Sequence, residues 1–492
     1  MFDALFTTTT EYKKLSHALS GKGACALFGL PASGRAQVYA ALCRQLDKPL
    51  CIVTPGEAEA TRFAADLNTL GIPAAVFPAR DYVLRPIEGT AREYEYRRLA
   101  VLGELVGGRL RAVAVPAEAL TQFTTPKEDF CANTRTLHAG DTLLRDDLLA
   151  ALFGAGYTRR AQVDGPGQFS VRGDIVDIFA PDQKMPVRME FWGDEIDTLH
   201  TFDLTTQRRE DAIDKFYLSP AREVLFGKPA DAAEQLQAFL AKQRGKKKTA
   251  MADCMAADLD LLDGGAVPVN MDKYLAVRYP HPATVLDYFD DPILVAEEPA
   301  SIREADRATV YRRGEELKSL ILDGVLCAGL DNLYADPSYL WSKTGHYRTI
   351  CAENFARSMP DQPLKDIINA PAHTLPAWNG EVAGLLEDLK PLCDAGYTVT
   401  LLAGTDRAAA GLARDLRDKG ILVTTDAAAA PAAGLVQVLA GHLSAGCEFP
   451  FAKYALLTGR AFGETSSQKK KRKKAKDALN SLTEITPGDL VV

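Results

Sequence analysis

Over the first 120 residues, short apolar runs alternate with longer stretches in which apolar residues recur every three or four positions. CALF (25–28), PLCIVTP (49–55), AAVFPA (74–79) and RLRAVAVP (109–116) have the length and continuity of buried strands. AQVYAALCRQL (36–46) and GEAEATRFAADLNTL (56–70) carry helical spacing. Strand and helix in strict alternation predict a parallel α/β sheet.

The pattern changes over 121–210. DDLLAALFGAGY (146–157) predicts a helix closed by Gly156. QFSVRGDIVDIFAP (168–181) and VRMEFWGDEIDTL (187–199) alternate with period two, with Phe169/Val171 and Val187/Met189/Phe191 facing inward. Gly-Asp pairs at 173–174 and 193–194 mark tight turns. A small α+β domain therefore interrupts the α/β domain, which resumes over 211–330 with the strand ILVAEEP (293–299) and a charged helix at 304–324. A connector (331–345) leads to a further small α/β domain (346–460), read from helices and strands within 380–404, 406–420, 435–441 and 454–459. A basic linker (461–480) follows, and 481–492 starts a strand and stops, as the truncated start of one more domain would.

Residues 28–37, FGLPASGRAQ, carry the candidate chemistry. Gly29 and Gly34 stand at the spacing of a phosphate loop, G-x-x-x-x-G-K-[ST]. The lysine slot holds Arg35, a bulkier planar cation, and the hydroxyl slot holds Ala36, which cannot ligate a metal. Two readings stay open: an ordinary strand-to-helix turn, or a nucleotide loop that has lost its chemistry. A second motif is spoiled in the same way. The strand ILVAEEP ends in Glu297 and Glu298, where a P-loop motor places the Asp-Glu pair that holds Mg²⁺ and polarises water.

Composition excludes several classes. Nine cysteines are scattered singly with no CxxC pair, and seven histidines show no ligand spacing. That argues for a reducing, cytoplasmic setting and against disulfides or a metal site. The stretch MFDALFTTTTEYKK does not read as a secretory leader, and the sequence shows no apolar stretch of membrane-spanning length and no GxSxG elbow. No catalytic residue is assigned and no cofactor is expected for this chain. A net charge of −8 excludes a general nucleic-acid coat. The block at Lys469, Lys470, Lys471, Arg472, Lys473 and Lys474 reads first as a solvated linker, with a phosphate-backbone contact as the sharper alternative.

The ordered string GYTRRAQVDGPGQFSVRGDIVDIFAP…PVRMEFWGDEIDTLHTFDLTTQRR (156–209) resembles the second domain of the bacterial transcription-repair coupling factor family, to which a domain of the excinuclease protein UvrB is related. FPARDYVLRPIEGTAREYEYRRLAVLGEL (77–105) resembles that family more loosely, as do DLKPLCDAGYTVTLLAG and the basic linker with its following strand. The resemblance implies a first domain shaped like the UvrB motor but without ATP chemistry. It implies a recruitment module that binds UvrA through Arg159, Arg172 and Phe179 of the inserted domain. Ser170 departs from the UvrB pattern, which has arginine there. The period-two pattern independently turns Arg172 to solvent, with pairing to Asp174 or Asp177 as the plain alternative, whereas Phe179 on pattern alone reads as core. The family further implies RNA polymerase and DNA as partners of a full-length ATP- and Mg²⁺-dependent translocase. It implies a docking face that the protein's own C-terminal region can mask. The competing readings are an active but atypical P-loop ATPase or helicase fragment and a nucleic-acid-binding scaffold; no membrane is involved in any of them.

Overall fold

The computed structural model describes residues 3–87, 92–357, 362–378, 380–430 and 432–459. The basic block Lys469–Lys474 and the strand expected at 481–492 lie outside the described residues. The chain divides into two compact units. The first runs Met1–Leu375 and takes back Gly446–Tyr454; the second holds Pro376–Ala445 and the chain from Ala455 onward.

The first unit is built on a seven-stranded sheet. Its order is Leu364–Asn369, Gly23–Phe28, Arg348–Glu353, Ile293–Glu297, Leu50–Thr54, Ala112–Pro116, Ala74–Val76, and every pair is parallel. The strands Leu50–Thr54, Ala112–Pro116 and Ile293–Glu297 are buried at every position. This explains why they read as continuous apolar runs rather than alternating ones: a parallel sheet is covered on both faces. The multi-domain α/β class expected from the sequence is the one observed.

Two expected boundaries move. Arg348–Glu353 does not begin a separate domain; it pairs with Gly23–Phe28 on one side and Ile293–Glu297 on the other. Leu364–Asn369 then extends the same sheet beyond Gly23–Phe28. The domain expected at 346–460 thus begins inside the first sheet. A local apolar run specifies a buried strand but not the sheet that will bury it. The inserted domain is also displaced. Its six-stranded sheet runs Arg209–Ala212, Glu195–Phe202, Val187–Trp192, Ile175–Phe179, Gln168–Arg172, Thr158–Arg159, with Lys215–Leu218 pairing Arg135–His138 beside it. It therefore extends past 210, the expected limit.

Phe169, Val176, Ile178, Val187, Met189, Phe191 and Ile196 fill the inserted domain's core with Leu148 and Leu152 of the helix Arg145–Gly154. Val171 is only partly buried. Helices Pro229–Ala241 and Gly245–Asp263 pack Leu236, Met251 and Met255 into a third cluster. In the second unit, Thr398–Leu402 and Val423–Thr424 flank Val436–Leu439 in parallel, with helices Val382–Asp394 and Asp406–Asp418.

Candidate functional site

The glycine loop joins the strand Gly23–Phe28 to the helix Ala32–Leu46, as its pattern implied. Gly29 sits at φ +86°, and a Cβ there would meet Asn369 Oδ1 at 3.0 Å and the Ala370 carbonyl at 3.2 Å. The amides of Ala370 and Ala372 donate to Phe28 O and Gly29 O at 2.9 and 3.0 Å. At Gly34 a Cβ would lie 2.8 Å from Cys447 Sγ and 3.4 Å from the Phe449 ring. Phe449 in turn packs edge-on against Phe6. The protein's own segments 369–372 and 446–449 thus lie against both glycines of the loop.

Arg35 is buried and engages two carboxylates. Its Nη1 and Nη2 both donate to Glu298 Oε1 at 2.9 Å, and its Nε lies 3.2 Å from Glu297 Oε2. Tyr39 Oη donates to Glu297 Oε1 at 2.5 Å. Burial pushes the Tyr39 hydroxyl far above its usual value, so it stays a neutral donor. Burial also raises the Glu297 carboxyl, partly offset by Arg35. Glu298 adopts φ +51°, a strained left-handed conformation for a side-chain-bearing residue, directly before the helix Pro299–Leu322. The glycine loop and the acidic strand end are thus brought together, across 263 residues, into one ion cluster. The cation that would meet a phosphate is spent on the acids that would have met a metal. Ala36 is fully buried and supplies no oxygen.

The inserted domain treats its arginines differently. Arg159 and Arg172 are both exposed. Asp177, buried to 1% exposure, is held bidentately by Arg188 at 2.7 and 2.9 Å. Arg172 reaches that carboxylate only at 3.9 Å, which leaves its guanidinium open to water. Arg172 is in register with Ile175, and Ile175 with Glu190. Trp192 lies further along that face, 82% exposed, beside the Gly193–Asp194 turn. Trp192 is not among the residues expected from the sequence, yet its position out of phase with Val187, Met189 and Phe191 turns it outward by the same rule that exposed Arg172. Phe179 is a correction: it is 6% exposed and packs with Val163 and Phe202, so it offers no side chain to a partner. Its strand is covered on both faces at that point, as the pattern alone suggested.

The pleat also separates the two arginines. Arg159 is the register partner of core-facing Phe169, whereas Arg172, three residues beyond Phe169, faces the other side. Arg159 lines a cavity of about 760 Å³ together with Arg92, Tyr96, Phe153, Arg160 and Arg222. Gly167, at φ +73°, lets Tyr96 approach there: a Cβ would meet its hydroxyl at 2.8 Å.

A buried ion network fastens the inserted domain to the sheet domain. Glu223, fully buried, receives Arg98 Nε at 2.6 Å and lies 3.1 Å from Arg80 Nε; its own amide donates to Glu95 at 3.0 Å. Arg80 binds Asp272 bidentately at 2.7 and 3.0 Å. Burial disfavours an ionised Glu95, but Arg80, Arg222 and Arg92 outweigh it and hold the carboxyl down at about 2. Each charge here has partners on several sides, which is what makes burial tolerable.

Residues 136–224, the inserted sheet and its flanking strands, match the UvrB interaction domain family. The whole chain resembles the transcription-repair-coupling factors. It is 26% identical over 481 residues to the transcription-repair-coupling factor of Bacillus subtilis (strain 168), covering 95% of this chain and 41% of that protein. The factor of Staphylococcus haemolyticus (strain JCSC1435) is 25% identical over 482 residues, covering 94% and 40%. The chain spans about two fifths of the length of the curated relatives it matches. The interaction domain is the part that carries the exposed Arg172 and Trp192. Among the described residues no group of acids, histidines and cysteines could hold a metal ion, and no helix is long and apolar enough to cross a membrane.

Proposed function

We propose that this chain is the recruitment module of a transcription-repair coupling factor, and that the interaction domain docks UvrA at the end of its sheet carrying Arg172 and Trp192. The observation that carries this reading is an exposed arginine and tryptophan on one face of a domain matching the UvrB interaction domain family. Arginine and tryptophan are the side chains most enriched at the energetic centre of protein interfaces. In this reading the sheet domain is scaffold and hydrolyses nothing. Its support is the Arg35–Glu297–Glu298 cluster, which consumes the groups that ATP and Mg²⁺ would use. ATP, Mg²⁺, DNA translocation and engagement of RNA polymerase belong to the full-length cytoplasmic protein, whose C-terminal region masks the docking face until polymerase is engaged.

The test is calorimetric titration of this chain with UvrA. Arg172→Glu and Trp192→Ala are each expected to weaken binding at least tenfold, with the circular dichroism spectrum unchanged. Arg159→Glu, on the opposite side of the pleat, is expected to matter less. Full binding by both Arg172→Glu and Trp192→Ala would move the interface elsewhere on the domain. Micromolar Mg-ATP binding by the wild-type chain would overturn the scaffold reading of the loop.

A further inference from the structure

The helices Pro229–Ala241 and Gly245–Asp263 meet at a corner to which UvrA docking assigns no role. Lys242, Arg244, Lys246, Lys247 and Lys248 all lie on it and all are exposed. None of the five makes an ion pair among the described residues, although the chain as a whole carries a net charge of −8. By contrast Arg35, Arg80, Arg98 and Arg188 each engage a carboxylate.

The placement is unfavourable for the isolated protein. Lys246, Lys247 and Lys248 lie in the first turn of a 19-residue helix, and that first turn contains no acidic residue. The partial positive charge of a helix N-terminus repels cations there, and the lysines repel each other. Gly245, at φ +59°, makes the tight turn that brings Lys242 and Arg244 beside them. The Lys247 side chain runs past Gly329, where a Cβ would stand 3.3 Å from its Nζ.

The chemistry selects the occupant. Successive helical residues fan out by about 100°, so three adjacent lysines cannot converge on one small anion but can follow a row of them. Lysine ammonium groups act as point charges, suited to phosphates rather than to bidentate reading of base edges. Residues 242–250 include no aromatic residue on which unpaired bases could stack. They also include no large exposed apolar side chain to anchor a protein interface or enter a lipid surface; the nearest along the helix, Leu261, is at its far end. We propose that this corner is a binding site for the phosphate backbone of double-stranded DNA, without sequence preference. The site is independent of the docking face for UvrA.

The experiment is fluorescence anisotropy of this chain with two unrelated 30-base-pair duplexes over a salt series. It is run with the second basic stretch (469–474) intact and replaced by glutamine. In both backgrounds Lys246→Gln/Lys247→Gln/Lys248→Gln is expected to weaken binding about 10- to 100-fold at low salt, equally for both sequences. The slope of log affinity against log salt is expected to shrink by about 2 to 3, one phosphate contact per lysine. A control triple, Lys13→Gln/Lys14→Gln/Lys22→Gln, makes the same change of net charge on other exposed lysines and is expected to leave binding nearly unaltered. Unchanged affinity and slope for the corner triple, or an equal loss in the control triple, overturns the proposal. So does a weakened grip on anionic phosphatidylserine vesicles with DNA binding intact.

Discussion

The glycine loop and the interaction domain both depend on arginine, and they use it in opposite ways. Arg35 is buried and engages two carboxylates; Arg172 is exposed and meets its one carboxylate only at 3.9 Å, because Arg188 already holds Asp177. The first cation is consumed by the fold. The second is left to water and to whatever displaces it. A motif's residues therefore say little about activity until their charges are followed to their partners: the loop holds a basic residue and the strand Ile293–Glu297 leads into an acidic pair, and each is engaged by the other.

The largest effect that tests this contrast is on stability. Arg35→Met leaves Glu297 and Glu298 without their cation and is expected to cost about 3–5 kcal/mol, whereas Arg172→Met should stay within about 0.5 kcal/mol of wild type. Urea denaturation of the two variants measures both, and similar losses would dissolve the distinction. Acid separates two buried carboxyls next. Glu95 sits at about 2 in the fold against 4.5 unperturbed, so its contribution is complete above pH 4.5 and is lost as pH falls towards 2. Glu297 is raised by burial, so its ionised form is the disfavoured one and acid does not weaken it in the same way. Melting curves at pH 7 and pH 3 should show Glu95→Gln costing clearly less at the second than at the first, with Glu297→Gln free of that acid dependence. A smaller effect sharpens the docking side. Phe179→Leu is expected to lower stability by about 1 kcal/mol while leaving UvrA affinity unchanged; a loss of affinity would return Phe179 to the interface. The smallest is no effect at all. Restoring the loop signature with Arg35→Lys/Ala36→Ser should not create Mg-ATP binding in calorimetry, because Cys447 and Phe449 still crowd Gly34 and the acids still hold the new lysine.

Much of this is legible from residue order. Continuous apolar runs mark the parallel strands, since full burial on two faces leaves no polar positions to alternate. Period two marks the inserted sheet and turns Arg172 outward, and one step further along it exposes Trp192. Phe179 shows the limit of a resemblance, because a position within a matching string carries no information on burial. The corner at 242–248 is inconspicuous in the sequence beside the longer basic block at 469–474, and a charge run gains significance only when it is known which of its charges are paired.

Residues close together in the chain dictate the class of sheet, the absence of a lysine and a hydroxyl at positions 35 and 36 of the loop, and the turns that end the hairpins. Local order does not dictate that Arg35 meets Glu297 and Glu298, or that Arg348–Glu353 completes the first sheet. Nor does it set Cys447 against Gly34 or place Arg159 and Arg172 on opposite sides of a pleat. Those outcomes arise when separate elements, some of them hundreds of residues apart, are packed or registered against one another. Local periodicity fixes what kind of surface a segment presents but not which partner covers it.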